Sequence, residues 1–274
     1  MRSGGYLKQL KLLIHYIRFK NHKGKQMQER LGDVLKACGF KFTKSLGQNF
    51  ISDSNLLDAI VADSGVGEGD IVVEIGTGAG TLTAALAKKA KKVISYETDT
   101  SLKPVLEITL REFDNIEVVF KDILKASVNE IEKIAGGKYH VVANLPYYIT
   151  TPVLMKFVEQ CDNVLSLTLM MQKEVAQRLS AKAGTKEYGS VTVAVDFFGE
   201  AKTTRIVSRK MFYPEPNVDS AVVKITKREQ PLDCDKKNLR RVVKSAFAMR
   251  RKTLANNLAA SFAHGRAEFE AVLT

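Results

Sequence analysis

Little in this chain suits metal, disulfide or membrane chemistry. Only three cysteines occur, Cys38, Cys161 and Cys234; they are far apart, odd in number and form no Cys-x-x-Cys pair. That pattern excludes a disulfide framework or a zinc ribbon and makes a reducing cytoplasm the default compartment. Four histidines are scattered without a His-x-x-x-His arrangement, so no metal is expected. No apolar run approaches the roughly 20 residues that a bilayer-spanning helix needs, so no membrane association through a span is expected. Acidic residues are outnumbered, 30 against 42 lysines and arginines. The 274 residues carry a formal net charge of +12, and the isoelectric point is near 9.5. Such an excess favours a polyanionic partner without constraining the fold, and an acidic membrane surface would attract it as well.

The first 30 residues hold eight of the basic side chains against Glu29 alone, a net +7. Leu7, Leu10, Leu13, Ile14 and Ile17 fall at helical spacing, which predicts a basic amphipathic helix. Three readings stand side by side: a binding arm for RNA or membrane, an organellar targeting peptide, and a start upstream of the native one, since Met27 immediately precedes the globular pattern.

From Asp70 onward strands and helices alternate. The pattern predicts strands at Ile71–Ile75, 92–96, Ile116–Phe120, 140–143, 164–170, Ser190–Phe198 and 220–225. Helices are predicted over 81–89, near 101–111 and over Val128–Ala135. This alternation means an α/β fold with a mainly parallel, doubly wound sheet, whose ligands sit at the carboxyl ends of the strands. After Arg228 the chain turns helical and basic, with Leu239, Val242, Val243, Ala246 and Phe247 on one stripe. The expected organisation is a basic extension over 1–30, a main domain over 31–228 and a small helical domain over 229–274.

Chemistry concentrates at the predicted strand ends. Glu74-Ile75-Gly76-Thr77-Gly78-Ala79-Gly80 closes the first strand of the alternating region. Glycines there let a backbone approach a ligand and turn sharply into a helix. The dinucleotide fingerprint would place a further glycine at position 81, which is Thr81; a nucleoside ligand without a pyrophosphate fits better. Glu97, 21 residues beyond Gly76, ends the second strand, where a carboxylate can accept both ribose hydroxyls. Asp122 follows the third strand, placed to accept an adenine amine with Ile123 against the ring. For any one acid alone, a solvated turn residue or helix cap is the better reading; three at successive strand ends favour a site.

Asn144-Leu145-Pro146-Tyr147 ends the fourth strand and carries the sharpest signal. The exocyclic amine of adenine is a poor nucleophile because its lone pair is delocalised into the ring. The Asn144 side-chain oxygen and the Leu145 carbonyl can accept its two N–H groups and pull the nitrogen toward a tetrahedral shape. Pro146 stiffens the turn, and Tyr147 offers a stacking face. The plainer reading is a proline turn at the surface.

At these residues the chain resembles the ribosomal RNA adenine dimethyltransferase family, which includes small-subunit dimethyladenosine transferases and macrolide-resistance methylases. The resemblance covers about residues 39 to 262. It also rests on Lys44-Ser45-Leu46-Gly47-Gln48-Asn49-Phe50, on Met171 to Leu179, on Gly184-Thr185-Lys186-Glu187-Tyr188-Gly189, on Phe212-Tyr213-Pro214-Glu215-Pro216-Asn217-Val218-Asp219-Ser220 and on Arg250-Arg251-Lys252. It implies a Rossmann-like class I methyltransferase that uses S-adenosylmethionine, with a C-terminal helical RNA-binding domain. By resemblance Asn49, Ile51, Gly76, Gly78, Glu97, Asp122 and Asn144 would contact the cofactor, with Gln48 and Phe50 shaping its site. Asn144, Leu145, Pro146 and Tyr147 would hold the target adenine, with Phe212 packing on its other face. Arg250, Arg251 and Lys252 would bind RNA. The Asn-Leu-Pro-Tyr-Tyr form and the Val-Asp-Ser-Ala-Val run look more like the small-subunit branch. That branch implies dimethylation of two adjacent adenosines near the 3′ end of 16S rRNA, in an immature small subunit, by a cytoplasmic monomer. A large-subunit methylase and an assembly factor with little turnover are the alternatives. The basic N-terminal stretch lies outside the family pattern, and the helical tail is shorter than in relatives.

Overall fold

The computed structural model describes residues 25–43, 47–51, 53–229, 234–249 and 251–273. The N-terminal amphipathic helix expected around 7–17, the 44–46 stretch of the first motif and Arg250 lie outside the described residues.

Five parallel strands form the centre: β2 (Ile71–Ile75), β3 (Lys92–Glu97), β4 (Ile116–Phe120), β5 (Tyr139–Asn144) and β6 (Val164–Gln172), with β1 (Phe50–Ile51) preceding them. Two further strands, β7 (Gly199–Val207) and β9 (Ser220–Lys227), complete a seven-stranded sheet in the order β4-β3-β2-β5-β6-β9-β7. β9 runs antiparallel to β6 and to β7, so the sheet is parallel except at one edge. A separate two-stranded ribbon joins β1 to β8 (Phe212–Tyr213), pairing Ile51 with Phe212. From β2 the chain moves outward to β3 and β4, then returns to the other side of β2 as β5. That reversal opens the crevice between β2 and β5, the switch point at which open α/β sheets bind ligands.

The central strands are near-continuous apolar runs because helices cover both faces. On one face, α5 (Val128–Ala135), α6 (Thr150–Gln160) and α8 (Ser190–Phe198) pack Ile131, Phe157 and Val195 against Val73, Val141 and Leu167. On the other, α2 (Ser54–Ser64) and α3 (Thr81–Ala87) pack Ile60 and Leu86 against Val72 and Val142. A third cluster joins α1 (Lys25–Ala37) to α4 (Lys103–Thr109) through Leu35, Val105 and Leu106. α7 (Lys173–Leu179) follows β6, and the chain closes with α9 (Lys236–Ala246), α10 (Leu254–Ala259) and α11 (Arg266–Leu273). Helix starts carry side-chain caps: Asp53 accepts from the Leu56 amide at 2.8 Å and Ser127 from the Glu130 amide at 3.1 Å.

One expected strand is a helix. Ser190–Phe198 reads as β because it is rich in valine and phenylalanine, yet it forms α8. Its buried residues, Thr192, Val195 and Phe198, recur every third position and face the core as a helical stripe. Packing thus overrides a β propensity worth only tenths of a kilocalorie per residue. Thr192 also holds the first turn, accepting from the Gly189 amide at 3.1 Å and donating to the Arg178 carbonyl at 2.7 Å. The true strand, β7, begins at the next residue. Gly199 lies so close to β9 that a Cβ there would run into the Thr226 carbonyl.

Gly199→Ala is therefore expected to destabilise the fold by about 2–3 kcal/mol through a backbone clash. Gly32→Ala, in α1 where a Cβ meets nothing within 4 Å, should stabilise by roughly 0.5–1 kcal/mol. Thermal denaturation of both variants checks the pair.

Candidate active site

The parallel order places four strand ends in a row: Asp122 after β4, Glu97 on β3, the glycine turn after β2, and Asn144 on β5. A cleft of about 610 Å³ runs along them, a size typical of small-ligand sites. Eleven of the strand-end and ribbon residues singled out from the sequence line it: Asn49, Ile51, Gly76, Gly78, Glu97, Asp122, Asn144, Leu145, Pro146, Tyr147 and Phe212.

The glycine turn is held by its neighbours. The Gly76 amide donates to the Tyr96 carbonyl at 2.8 Å, and the Gly78 amide donates to Glu97 Oε2 at 2.8 Å. Gly78 has φ +54°, and a Cβ there would sit 3.2 Å from the Phe50 ring, so the position takes glycine for both reasons. Glu97 also accepts the Thr98 and Asp99 amides through Oε1, at 2.7 and 2.9 Å. Three of its roughly four lone-pair sites are thus engaged, which leaves room for one further donor. Asp122 accepts the Leu124 amide through Oδ1 at 2.9 Å, and buried Ile123 stands beside it.

A strap formed by residues 47–51 crosses the cleft. Gln48 Nε2 donates to Asp99 Oδ2 at 2.7 Å, Thr81 Oγ1 donates to the Ile51 carbonyl at 2.9 Å, and Asn144 Nδ2 donates to the Asn49 carbonyl at 3.1 Å. A carbonyl can only accept, so the Asn144 amide nitrogen must face Asn49, which turns its oxygen the other way. Beyond it, Tyr147 is tethered by a 2.9 Å hydrogen bond between its hydroxyl and Ser220 Oγ. Phe212 is only 4% exposed, packed with Ile51, Val207 and Met170 as wall rather than as a free ring. The tethers through Asp99 and Ser220 escaped the sequence reading; a contact spanning 73 residues, as between Tyr147 and Ser220, leaves no local signal.

Two groups fall elsewhere. Arg251 and Lys252 are exposed on the α9–α10 connection and do not line the cleft. Glu74, counted among the strand-end acids, is fully buried beneath the glycine turn rather than in the cleft. The cleft opens at the strand ends, where Ile75 and Gly76 reach it, while Glu74 lies deeper along β2 with its carboxyl against Ser95.

The sequence profile described as ribosomal RNA adenine dimethylase matches residues 39–272. The chain belongs to the ribosomal RNA adenine dimethylase family. It is 48% identical over 242 residues to the ribosomal RNA small subunit methyltransferase A of Bacillus licheniformis, covering 86% of this chain and 83% of that protein. The protein of the same name from Bacillus cytotoxicus is 47% identical over 234 residues, covering 84% and 80%. Among solved structures, a dimethyladenosine transferase from Plasmodium falciparum matches with a TM-score of 0.67 at 31% identity, covering 76% of this chain and 74% of that one. The 23S rRNA methyltransferase ErmE matches at 0.66 and 27% identity, covering 82% and 88%. The mainly parallel Rossmann-like sheet expected from the sequence is thus the dimethylase fold.

In this dimethylase, Glu74 joins the sheet to the glycine turn. Ser95 Oγ donates to Glu74 Oε2 at 2.6 Å and lies 2.7 Å from Thr77 Oγ1. Burial, opposed by the Ser95 hydrogen bond and assisted by the charge of Glu97, raises the Glu74 carboxyl from 4.5 to about 8. An acid whose folded pKa is raised binds more protons folded than unfolded, so its contribution falls as pH rises between those two values. The wild type is therefore expected to lose thermal stability relative to Glu74→Gln as pH is raised from about 5 to 8. Parallel melting curves across that window would refute this.

Proposed function

We propose that this dimethylase transfers methyl groups from S-adenosylmethionine to the N6 amine of adenosine in small-subunit ribosomal RNA, on two adjacent adenosines near the 3′ end of 16S rRNA. The observation that carries the reading is a single cleft joining the glycine turn to the Asn144–Tyr147 tip. The relatives named for the small subunit are 48% and 47% identical, against 27% for the 23S enzyme, which supports the small-subunit choice.

The residues fit the cofactor. The turn from Gly76 to Gly78 presents backbone to a ligand, Glu97 keeps one acceptor site for a ribose hydroxyl, and Asp122 Oδ2 can accept the adenine amine. Ile123 packs on that ring, while Asn49 and Ile51 close the strap over the remainder. When bound, S-adenosylmethionine supplies the methyl group on an electrophilic sulfonium.

This chain's own residues prepare the nucleophile. The target base leaves its stack and enters beside Tyr147, whose ring the Ser220 hydrogen bond keeps in place. With its nitrogen committed to Asn49, Asn144 offers Oδ1 to one N–H of the amine, and the Leu145 carbonyl accepts the other. Those two bonds localise the lone pair toward the methyl donor. Buried acceptors also select an amine over a base that lacks one, since leaving them unpaired costs kilocalories. No strong base is required, because the N–H turns acidic as the nitrogen is alkylated. The main contributions are orientation and excluded water.

The helices α9 to α11 belong, on this reading, to an RNA-binding domain over 229–274. Part of their basic character docks them to the main body: Lys236 pairs with Asp162 at 2.9 Å and Arg240 with Glu159 at 3.0 Å, while Arg241 sits 4.4 Å over the Phe262 ring. Exposed Arg251 and Lys252 remain for phosphate, with Arg250 beside them in sequence. A cytoplasmic monomer acting on an immature subunit completes the proposal; the free cysteines Cys38, Cys161 and Cys234 suit a reducing compartment.

Asn144→Ala is expected to lower kcat by at least about 100-fold while cofactor affinity falls less. Single-turnover assays with labelled cofactor and immature small subunits test it, and undiminished turnover overturns the assignment. Replacing Arg251 and Lys252 with glutamine should reduce the salt slope of RNA binding by about 2. An unchanged slope in a titration across 50–200 mM salt would remove these residues from the RNA interface.

A further inference from the structure

Among the residues that neither touch the cleft nor resemble a family motif, Lys156 stands out by its place. It lies on the buried face of α6, between Val153 and Phe157, both fully buried, and is itself only 9% exposed. An ammonium taken out of water is costly unless its donors are met. Its partners here are carbonyl oxygens rather than carboxylates: Lys156 Nζ donates to Ala126 O and, at 3.4 Å, to Leu124 O.

Both carbonyls belong to the turn that follows β4. That turn is wound around Asp122: its carbonyl accepts the Lys125 and Ala126 amides at 2.9 and 3.1 Å, and its carboxylate accepts the Leu124 amide at 2.9 Å. Asp122, Ile123, Leu124 and Lys125 line the cleft, whereas Ala126 is buried behind them. The turn is thus tied on one side to the Asp122 side chain and on the other to the Lys156 amine. Without the amine the Ala126 carbonyl would be buried and unpaired, and the turn could relieve that only by shifting.

We infer that Lys156 is a positioning residue for the adenine end of the cofactor subsite, setting Asp122 through the Leu124 and Ala126 carbonyls that it holds. The inference rests on the reading that Asp122 meets the adenine amine. Burial also lowers the Lys156 pKa, with Asp122 and Glu130 among the charges that oppose the shift. Lys156 does not touch the reacting atoms, so its effect falls on cofactor affinity and leaves the transfer step itself alone.

The test is binding of S-adenosylhomocysteine, and of its analogue carrying purine in place of adenine, to the full chain and to Lys156→Met, Lys156→Gln and Lys156→Arg. Wild type should bind the adenine ligand more tightly than the purine ligand by about tenfold. In Lys156→Met the adenine ligand should weaken about tenfold, the purine ligand less than about twofold, and kcat at saturating cofactor should stay within about twofold of wild type. Lys156→Arg, which keeps charged donors, should recover part of the discrimination. Lys156→Gln covers the case in which Lys156→Met does not fold, because its amide still donates and should give an intermediate ratio. Equal weakening of both ligands would reduce Lys156 to a general structural role and overturn the inference, as would an unchanged adenine-to-purine ratio in every variant. Wild type that binds neither ligand, or both equally, would instead sink the cofactor or Asp122 reading beneath it.

Discussion

One hydrogen bond organises the site: Asn144 Nδ2 donating to the Asn49 carbonyl. It joins the tip of β5 to the strap across the cleft, 95 residues earlier in the chain. Because a carbonyl has no proton to give, the bond fixes the Asn144 amide with its oxygen turned away from Asn49. Asparagine is suited to this in a way that aspartate is not, since a carboxylate would set like partial charges against the Asn49 oxygen. The same strap is anchored at Asp99 through Gln48 and at Thr81 through Ile51, so the strap and the orientation of the Asn144 amide are one mechanical unit.

The sheet topology makes that unit possible. Parallel strands in the order β4-β3-β2-β5 bring Asp122, Glu97, Gly76 and Asn144 to one edge, each from a different segment. The adenine, ribose and reactive ends of a nucleoside ligand can then be read in sequence along the cleft. Behind this edge the polar groups are engaged in support. Glu97 braces the Gly78, Thr98 and Asp99 amides, Ser95 links Glu74 toward Thr77, and Lys156 holds the carbonyls behind Asp122. Preorganisation of this kind means little rearrangement is left for the moment of transfer.

Much of this arrangement was legible in the residues. Ile71–Ile75, Ile116–Phe120 and Val128–Ala135 occur with the bounds read from the sequence, because short apolar runs and the Ser127 cap leave strong local marks. The strand-end residues were legible for a topological reason: once strands alternate with helices, their carboxyl ends must converge. Valine-rich Ser190–Phe198 was misread because its burial pattern, set by packing, contradicts its local propensity. Polar β7, with Glu200, Lys202 and Arg205 on an edge strand, lacks the apolar signature of the centre. Glu74 counted among the strand-end acids because spacing in sequence does not say how far below the strand end a side chain is buried. Lys156 and the Tyr147–Ser220 tether carry no sequence signal at all, since each acts across a long stretch of chain.

The central claim, that two acceptors at the β5 tip shape the nucleophile, is tested most directly by a structure of the protein with S-adenosylhomocysteine and an RNA hairpin holding the target adenosine. The exocyclic nitrogen is expected within about 3 Å of both Asn144 Oδ1 and the Leu145 carbonyl oxygen, with the base against Tyr147. A base seated with its amine toward solvent, or an Asn144 side chain turned with Oδ1 against Asn49, would contradict it.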